Sequence, residues 1–329
     1  MEIKDITSLA SRIRENVAKV IVGKDDVIEL VIISLIAGGH VLLEDVPGTG
    51  KTVMARSLAQ SVDGEFKRIQ FTPDLLPSDI TGLNIFNQQN STFEFRRGPA
   101  FTNILLADEI NRATPRTQSA LLECMEEKQI TVEGETRNLP SPFFVIATQN
   151  PVEIQGTFPL PEAQLDRFLL KLNVGYPEGD DAKALIDRFI HDNPIEEIKP
   201  VTTVDEILDA QNSFKQVHVS DAVRRYIARI VEETRCGVDV ALGVSPRGML
   251  AMLRAAQVAA AVAGRDYVLP DDIKRLAVPV FCHRIILVAG QGLGSSKNIE
   301  FINRIIKEVP APTEDPTAKD SIPERQSES

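Results

Sequence analysis

Apolar side chains at Ile6, Leu9, Ile13, Val17 and Val20 recur every three or four residues, which predicts an amphipathic helix over residues 5–20. Ile21-Val22-Gly23 interrupts that period, and a second helix is predicted from about Asp25 to Ala37, stopped by Gly38-Gly39. The pattern then changes. Short, nearly unbroken apolar runs at His40–Glu44, Phe66–Phe71, Asn103–Asp108, Phe143–Thr148 and Phe168–Val174 read as strands buried on both faces. Helical segments separate these five runs, so the pattern predicts an α/β domain with a parallel sheet between helical layers.

Tyr176-Pro177-Glu178-Gly179-Asp180 marks the exit from that domain, which places it at residues 1–176, with a linker at 177–200. From 201 to 309 the strand pattern gives way to helical stretches near 203–215, 220–235, 246–263 and 270–283. Ser220, Pro246 and Pro270-Asp271 are their start signals, and an all-helical second domain is predicted. Residues 310–329 (PAPTEDPTAKDSIPERQSES) carry almost no apolar side chains and read as a disordered tail.

Composition narrows the class of partner. The chain has 329 residues, which fits about two domains, and 43% apolar residues are enough for a core in each. The net charge of −11, with no run of Lys and Arg, argues against a nucleic-acid partner. Cys124, Cys236 and Cys282 are scattered and fit a reducing compartment rather than a disulfide framework. The start MEIKDITSLA has no apolar secretory core, and the apolar stretch Val27–Val46 is interrupted by Glu29, Gly38, Gly39, His40, Glu44 and Asp45. No membrane segment and a cytoplasmic location are therefore expected.

Candidate chemistry begins where Val41–Glu44 runs into Asp45-Val46-Pro47-Gly48-Thr49-Gly50-Lys51-Thr52 and then a helix from Val53 to Ser61. In such a strand–turn–helix, backbone amides and the positive helix end wrap the β- and γ-phosphates of a nucleotide. Lys51 would add a point charge and Thr52 a hydroxyl for Mg²⁺, so Pro47, Gly48, Thr49, Gly50, Lys51, Thr52 and Val53 are candidate ATP-binding residues. The first glycine of the usual pattern is Asp45 here.

Asp108 and Glu109 end the apolar run Ile104–Ala107, at the strand end that faces the same crevice in a parallel sheet. Asp108 fits the carboxylate associated with Mg²⁺, and Glu109 the base that orients an attacking water. Asn150 follows another strand and would help hold that water. A guanidinium such as Arg167, in Leu165-Asp166-Arg167-Phe168, matches phosphate oxygens when supplied by a neighbouring subunit. Arg247, in Ser245-Pro246-Arg247-Gly248, opens a helix of the second domain and would reach the γ-phosphate. Taken alone, Asn-Pro is a turn, Asp-Arg a surface ion pair and Arg247 a helix-start arginine. Gly290-Gln291-Gly292-Leu293-Gly294 lacks a βαβ context and reads as a loop. His40, His191, His218 and His283 show no metal-ligand spacing.

Together these motifs resemble the AAA+ ATPases, and within them the MoxR family, over roughly residues 5–300. The stretches that carry the resemblance are Gln70–Asp79 (QFTPDLLPSD), Arg97–Phe101 (RGPAF), Asp108–Ala113 (DEINRA), Ala120–Glu123 (ALLE), Ala147–Pro151 (ATQNP) and Leu165–Phe168 (LDRF). The resemblance implies that Lys51 and Thr52 are the Walker A residues, Asp108 and Glu109 Walker B, and Asn150 sensor 1. Arg167 would be the arginine finger, Arg247 sensor 2, and Ile21-Val22-Gly23 the segment against adenine. Arg112 and Arg116 rank below Arg167 as arginines acting across an interface.

The implied fold is a P-loop AAA+ core, with a five-stranded parallel sheet flanked by helices, hairpin insertions near 83–97 and 129–138, and a C-terminal helical lid. The implied function is that of a Mg²⁺-dependent ATPase in a hexameric ring, with ATP between subunits. It would act as a chaperone or remodelling machine on von Willebrand factor A domain proteins. The alternatives are a nucleotide-gated scaffold without turnover, which Glu109, Asn150 and Arg167 argue against, or a nucleic-acid or metal-chelatase motor subunit.

Overall fold

The computed structural model describes residues 1–44, 48–150, 156–177, 179–189, 194–237, 239–288 and 294–313. Pro47, residues 289–293 and most of residues 310–329 lie outside them, so the readings made there from the sequence fall on undescribed residues. The chain divides into two units, Met1–Ser213 and a second one beginning at Phe214.

The first unit opens with helices α1 (Ile3–Ala18) and α2 (Asp25–Ile36). The apolar stripe of α1 is buried at Ile6, Leu9, Ile13 and Val17. Gly23 makes the turn between the helices at φ +68, and Asp25 and Asp26 face the positive end of α2. The alternating part of the chain then gives β1 (Val41–Glu44), α3 (Lys51–Ser61), β2 (Phe66–Gln70), α4 (Pro77–Thr81) and the pair β3 (Gly82–Asn87) and β4 (Thr92–Arg97). After it come β5 (Ile104–Asp108), a 3-10 turn at Ile110–Arg112, α5 (Pro115–Glu127), and the pair β6 (Gln129–Val132) and β7 (Glu135–Asn138). Then follow β8 (Phe144–Gln149), α6 (Glu162–Leu165), β9 (Leu170–Leu172), α7 (Asp180–Phe189) and α8 (Val204–Ser213).

Five strands form one parallel sheet in the order β2-β5-β8-β1-β9. Val41–Leu43, Ile104–Ala107 and Val145–Ala147 are all fully buried, as strands covered on both faces must be. Burying each large side chain here stabilises the fold by about 1.5–3 kcal/mol. The register levels the strand ends: Gln70 lies opposite Asp108, Leu43 opposite Thr148 and Glu44 opposite Gln149. Polar residues therefore gather at the ends of central strands that are otherwise apolar, whereas the outer strands carry Lys67 and Arg68 in β2 and Lys171 in β9. Among the described residues, no helix is long and apolar enough to cross a membrane.

β3–β4 and β6–β7 are antiparallel hairpins outside this sheet. They are tied together by Asn84 Nδ2, which donates to Glu133 Oε2 at 2.6 Å, and by the Arg137 guanidinium, 4.3 Å over the Phe95 ring.

Two features differ from the sequence expectation. Residues 177–200, expected as a linker, carry α7 and a 3-10 turn at Pro194–Glu197, where Ile195 and Ile198 are buried with Val20 and pack against Val53. The first unit also runs past residue 201, because α8 docks on the N-terminal helices: Arg12 pairs with Glu206 at 3.1 Å, and Gln211 donates to Leu35 O at 2.8 Å.

The second unit contains α9 (Asp221–Glu233), α10 (Pro246–Val262), α11 (Pro270–Phe281) and α12 (Gly294–Glu308). Ser220 and Ser245 cap α9 and α10, accepting from the Val223 and Gly248 amides. One small ladder interrupts the all-helical expectation: β10 (Val240–Leu242) pairs antiparallel with β11 (Ile286–Leu287). Both strands are too short to show a period of two in the sequence.

Candidate functional site

The polar edge of the sheet is built from the ends of β1, β2, β5 and β8. After β1, Gly48 and Gly50 adopt φ +86 and +83, and nothing lies within 4 Å of where a Cβ would sit on either. Backbone conformation rather than space is what demands glycine at both positions. Lys51 is the first residue of α3 and is buried to 9% exposure, with Thr52 beside it in the first turn. Val53, next in that turn, packs on the Val20 cluster, which brings the Val22–Gly23 turn close to the start of α3. A Cβ on Gly23 would lie 2.0 Å from Asp181 Oδ2, so a carboxylate of α7 covers that turn.

Asp108 and Glu109 are fixed by a closed circuit of hydrogen bonds. The Thr148 hydroxyl, fully buried at the end of β8, donates to Asp108 Oδ1 at 2.6 Å and accepts the Glu109 amide at 2.8 Å. On the other side Arg68 donates to Asp108 Oδ2 from Nη2 at 2.7 Å and from Nε at 3.2 Å. Arg68 Nη2 also donates to Gln70 Oε1 at 2.9 Å, and Gln70 Nε2 donates to Glu109 Oε2 at 2.6 Å. Arg112 adds a second donor to Glu109 Oε2 at 2.9 Å. Glu109 itself adopts a left-handed backbone, φ +55, which turns its side chain out of the strand direction. For a residue with a Cβ that conformation costs on the order of 1–3 kcal/mol, and the surrounding circuit holds it.

The structure brings Gly48, Thr49, Gly50, Lys51, Thr52, Asp108, Glu109 and Asn150 to the same ends of adjacent strands. Asn150 is buried directly after β8, and its carbonyl accepts from Asn111 Nδ2 at 3.4 Å. Arg167 lies apart, against α5: Nη1 donates to Leu122 O at 2.7 Å, and Nη2 pairs with Glu126 at 3.0 Å. The groove there, about 510 Å³, is also lined by Ser119, Glu123 and Gln164. Arg116 is exposed on the first turn of α5, whereas Arg112 is held in the circuit around Glu109. Arg247 belongs to the second unit, in the first turn of α10. The guanidinium of Arg254 on that helix has a lowered pKa, chiefly from burial and then from the Arg247 charge.

Arg68, Gln70 and Thr148 are the participants that sequence reasoning misses as site residues. Arg68 and Gln70 alternate on one face of β2, a weak signal that acquires meaning only once β2 is known to border β5.

The donor set fits magnesium. Thr52 and Asp108 offer hard oxygens, and no group of three or more His, Cys, Asp or Glu among the described residues is placed to hold a metal alone. One carboxylate and one hydroxyl suit an ion that takes its remaining ligands from nucleotide phosphates and water.

A glycine turn at a helix start, facing an acid pair across a parallel sheet, defines a P-loop nucleotide site of the AAA kind. The family model described as ATPase family associated with various cellular activities matches residues 40–170, and an AAA lid domain matches residues 232–324. The chaperone MoxR1 of Mycobacterium tuberculosis is 42% identical over 90% of this chain and 80% of its own length. YeaC of Bacillus subtilis is 51% identical over 86% of this chain and 89% of its own. A crystallised candidate ATPase from Cytophaga hutchinsonii superposes with a TM-score of 0.83 at 40% identity, covering 91% of this chain and 94% of that one. The chain belongs to the MoxR family of AAA+ ATPases, and it is an ATP hydrolase.

Proposed function

We propose that the chain is one subunit of a hexameric ring that uses ATP to remodel or mature partner proteins, with each ATP bound between two subunits. The observation that carries this reading is the fixed acid pair, Asp108 and Glu109, at the same sheet edge as Gly48–Thr52. A base held in place by its surroundings loses little to reorganisation during reaction.

Gly48, Thr49 and Gly50 would cradle the phosphates through their amides, with Lys51 as a point charge. Val22 and Gly23 would lie against adenine. Thr52 and Asp108 would hold magnesium, which when bound neutralises phosphate charge. Gln70 and Arg112 both donate to Oε2 of Glu109, which leaves Oε1 to take the proton of the attacking water. Asn150 would orient that water. Arg167 would approach the γ-phosphate of the neighbouring subunit, and Arg247 would report nucleotide state to the lid.

Support for the client role comes from the relative named as a chaperone and from the exposed apolar side chains of β3–β4. The partner class proposed is a protein carrying a von Willebrand factor A domain, in the cytoplasm. The test is steady-state ATPase activity against protein concentration, with Glu109→Gln and Arg167→Ala as controls. Turnover per subunit that rises steeply with concentration and is lost in both variants supports hydrolysis at a shared interface. A rate per subunit independent of concentration would overturn it.

A further inference from the structure

We propose that Arg68 is the resident counter-ion of the acid pair and keeps divalent cations off Asp108 until they arrive with nucleotide. The proposal rests on the assignment of Asp108 as the magnesium-associated carboxylate. Arg68 lies two residues before the end of β2, on the face it shares with Gln70, and its register partner on β5 is Leu106. To reach Asp108, the guanidinium must therefore run up along the strand. Nη2 at 2.7 Å and Nε at 3.2 Å both fall on one oxygen, Oδ2, while the neutral Thr148 hydroxyl occupies Oδ1.

The charges match. Two adjacent carboxylates, Asp108 and Glu109, contact two guanidiniums, Arg68 and Arg112. A free divalent cation entering this balanced set must displace Arg68 or sit beside it, and it gains little attraction in return. A metal–nucleotide complex brings its own phosphate oxygens and negative charge, so it needs only one Asp108 oxygen. The Arg68 side chain is 47% exposed, and an ion pair that open to water yields at small cost. Arg68 is thus a weak gate, strong enough against the bare ion and not against the complex.

The test is manganese titration of the full chain without nucleotide, followed by electron paramagnetic resonance. R68Q, which removes the charge at hydrogen-bond range, should bind manganese roughly tenfold more tightly than the native chain. R68K, which keeps the charge, should stay near the native affinity. R68Q combined with D108N should return to weak binding. An R68Q affinity equal to the native one overturns the proposal, and if D108N still abolishes magnesium-dependent turnover, the metal assignment survives that loss. Tight manganese binding that persists in the double variant overturns the assignment of Asp108 and the proposal with it.

Discussion

The five-stranded sheet and the β3–β4 hairpin are built from similar apolar residues and put them to opposite uses. In the three central strands, β5, β8 and β1, Leu42, Leu105, Leu106 and Ile146 are fully buried, and polar side chains appear only where the strands end. In the hairpin, Leu83 and Ile85 share one face, Phe86 and Phe93 the other, and all four stay exposed, Phe93 at 73%. An isolated two-stranded ribbon is marginal in water. This one is anchored at its base, where Phe95 packs on Phe101 at 5.6 Å between ring centroids and beneath Arg137. The contrast teaches where each kind of task is placed. Groups that must hold a geometry sit at the end of the most deeply packed strands, while apolar surface without an internal partner is carried on a protruding ribbon.

The sharpest way to break that contrast is at the polar edge. Lys51→Ala should abolish nucleotide binding, measured with a fluorescent ATP analogue. Glu109→Gln should still bind ATP while turning over roughly 10²–10⁴-fold more slowly. Equal binding by the Lys51 variant would remove the phosphate cradle from this turn.

Next in size are changes to the sheet itself. Leu106→Ala opens a cavity in a strand with no exposure and should cost about 2–5 kcal/mol in denaturant unfolding. His40, just before β1, is subtler. Its Nδ1 accepts the Val145 amide at 3.0 Å, so Nε2 must carry the proton it donates to Met125 O at 3.1 Å. Burial is the main reason its pKa falls from 6.5 to about 4. The unfolded chain then takes up a proton below pH 6.5 that the folded chain refuses until about pH 4. Stability should therefore fall as pH drops through that window, by about 3 kcal/mol in all, and His40→Gln should lose this component of the slope. A native chain equally stable at both ends of the window would show that His40 is not held neutral.

The central strands of the sheet are legible in the sequence because burial on both faces leaves unbroken apolar runs such as Ile104–Ala107, whereas β2, expected to be buried on both faces, buries only Ile69. Their ends could be named for the same reason: a charge or a glycine after such a run stands out. What those ends touch is another matter. The circuit from Arg68 through Asp108, Thr148 and Glu109 to Gln70 joins residues up to about 80 positions apart through strand order, which no local period reveals. The pairing of Arg167 with Glu126 is hidden in the same way, since α5 and the segment after α6 meet only in the fold. Helix α7 is a different case: Ala182, Leu185, Ile186 and Phe189 follow a helical period that the linker reading passed over, and the fold leaves that stripe half-buried or exposed rather than in the core.

The smallest expected effect is the most direct test of the hairpin. Phe93 opposes Phe86 with ring centroids 5.3 Å apart, yet it is 73% exposed, so Phe93→Ser removes little buried area. Its stability should stay within about 0.5 kcal/mol of the native chain, and its ATPase rate should not change. A loss comparable to that of Leu106→Ala would mean that the ribbon contributes to the core after all. Unchanged stability and turnover, together with weakened capture of a client protein, would mark Phe93 as surface kept apolar for contact rather than for folding. The two regions would then differ in purpose as well as in burial.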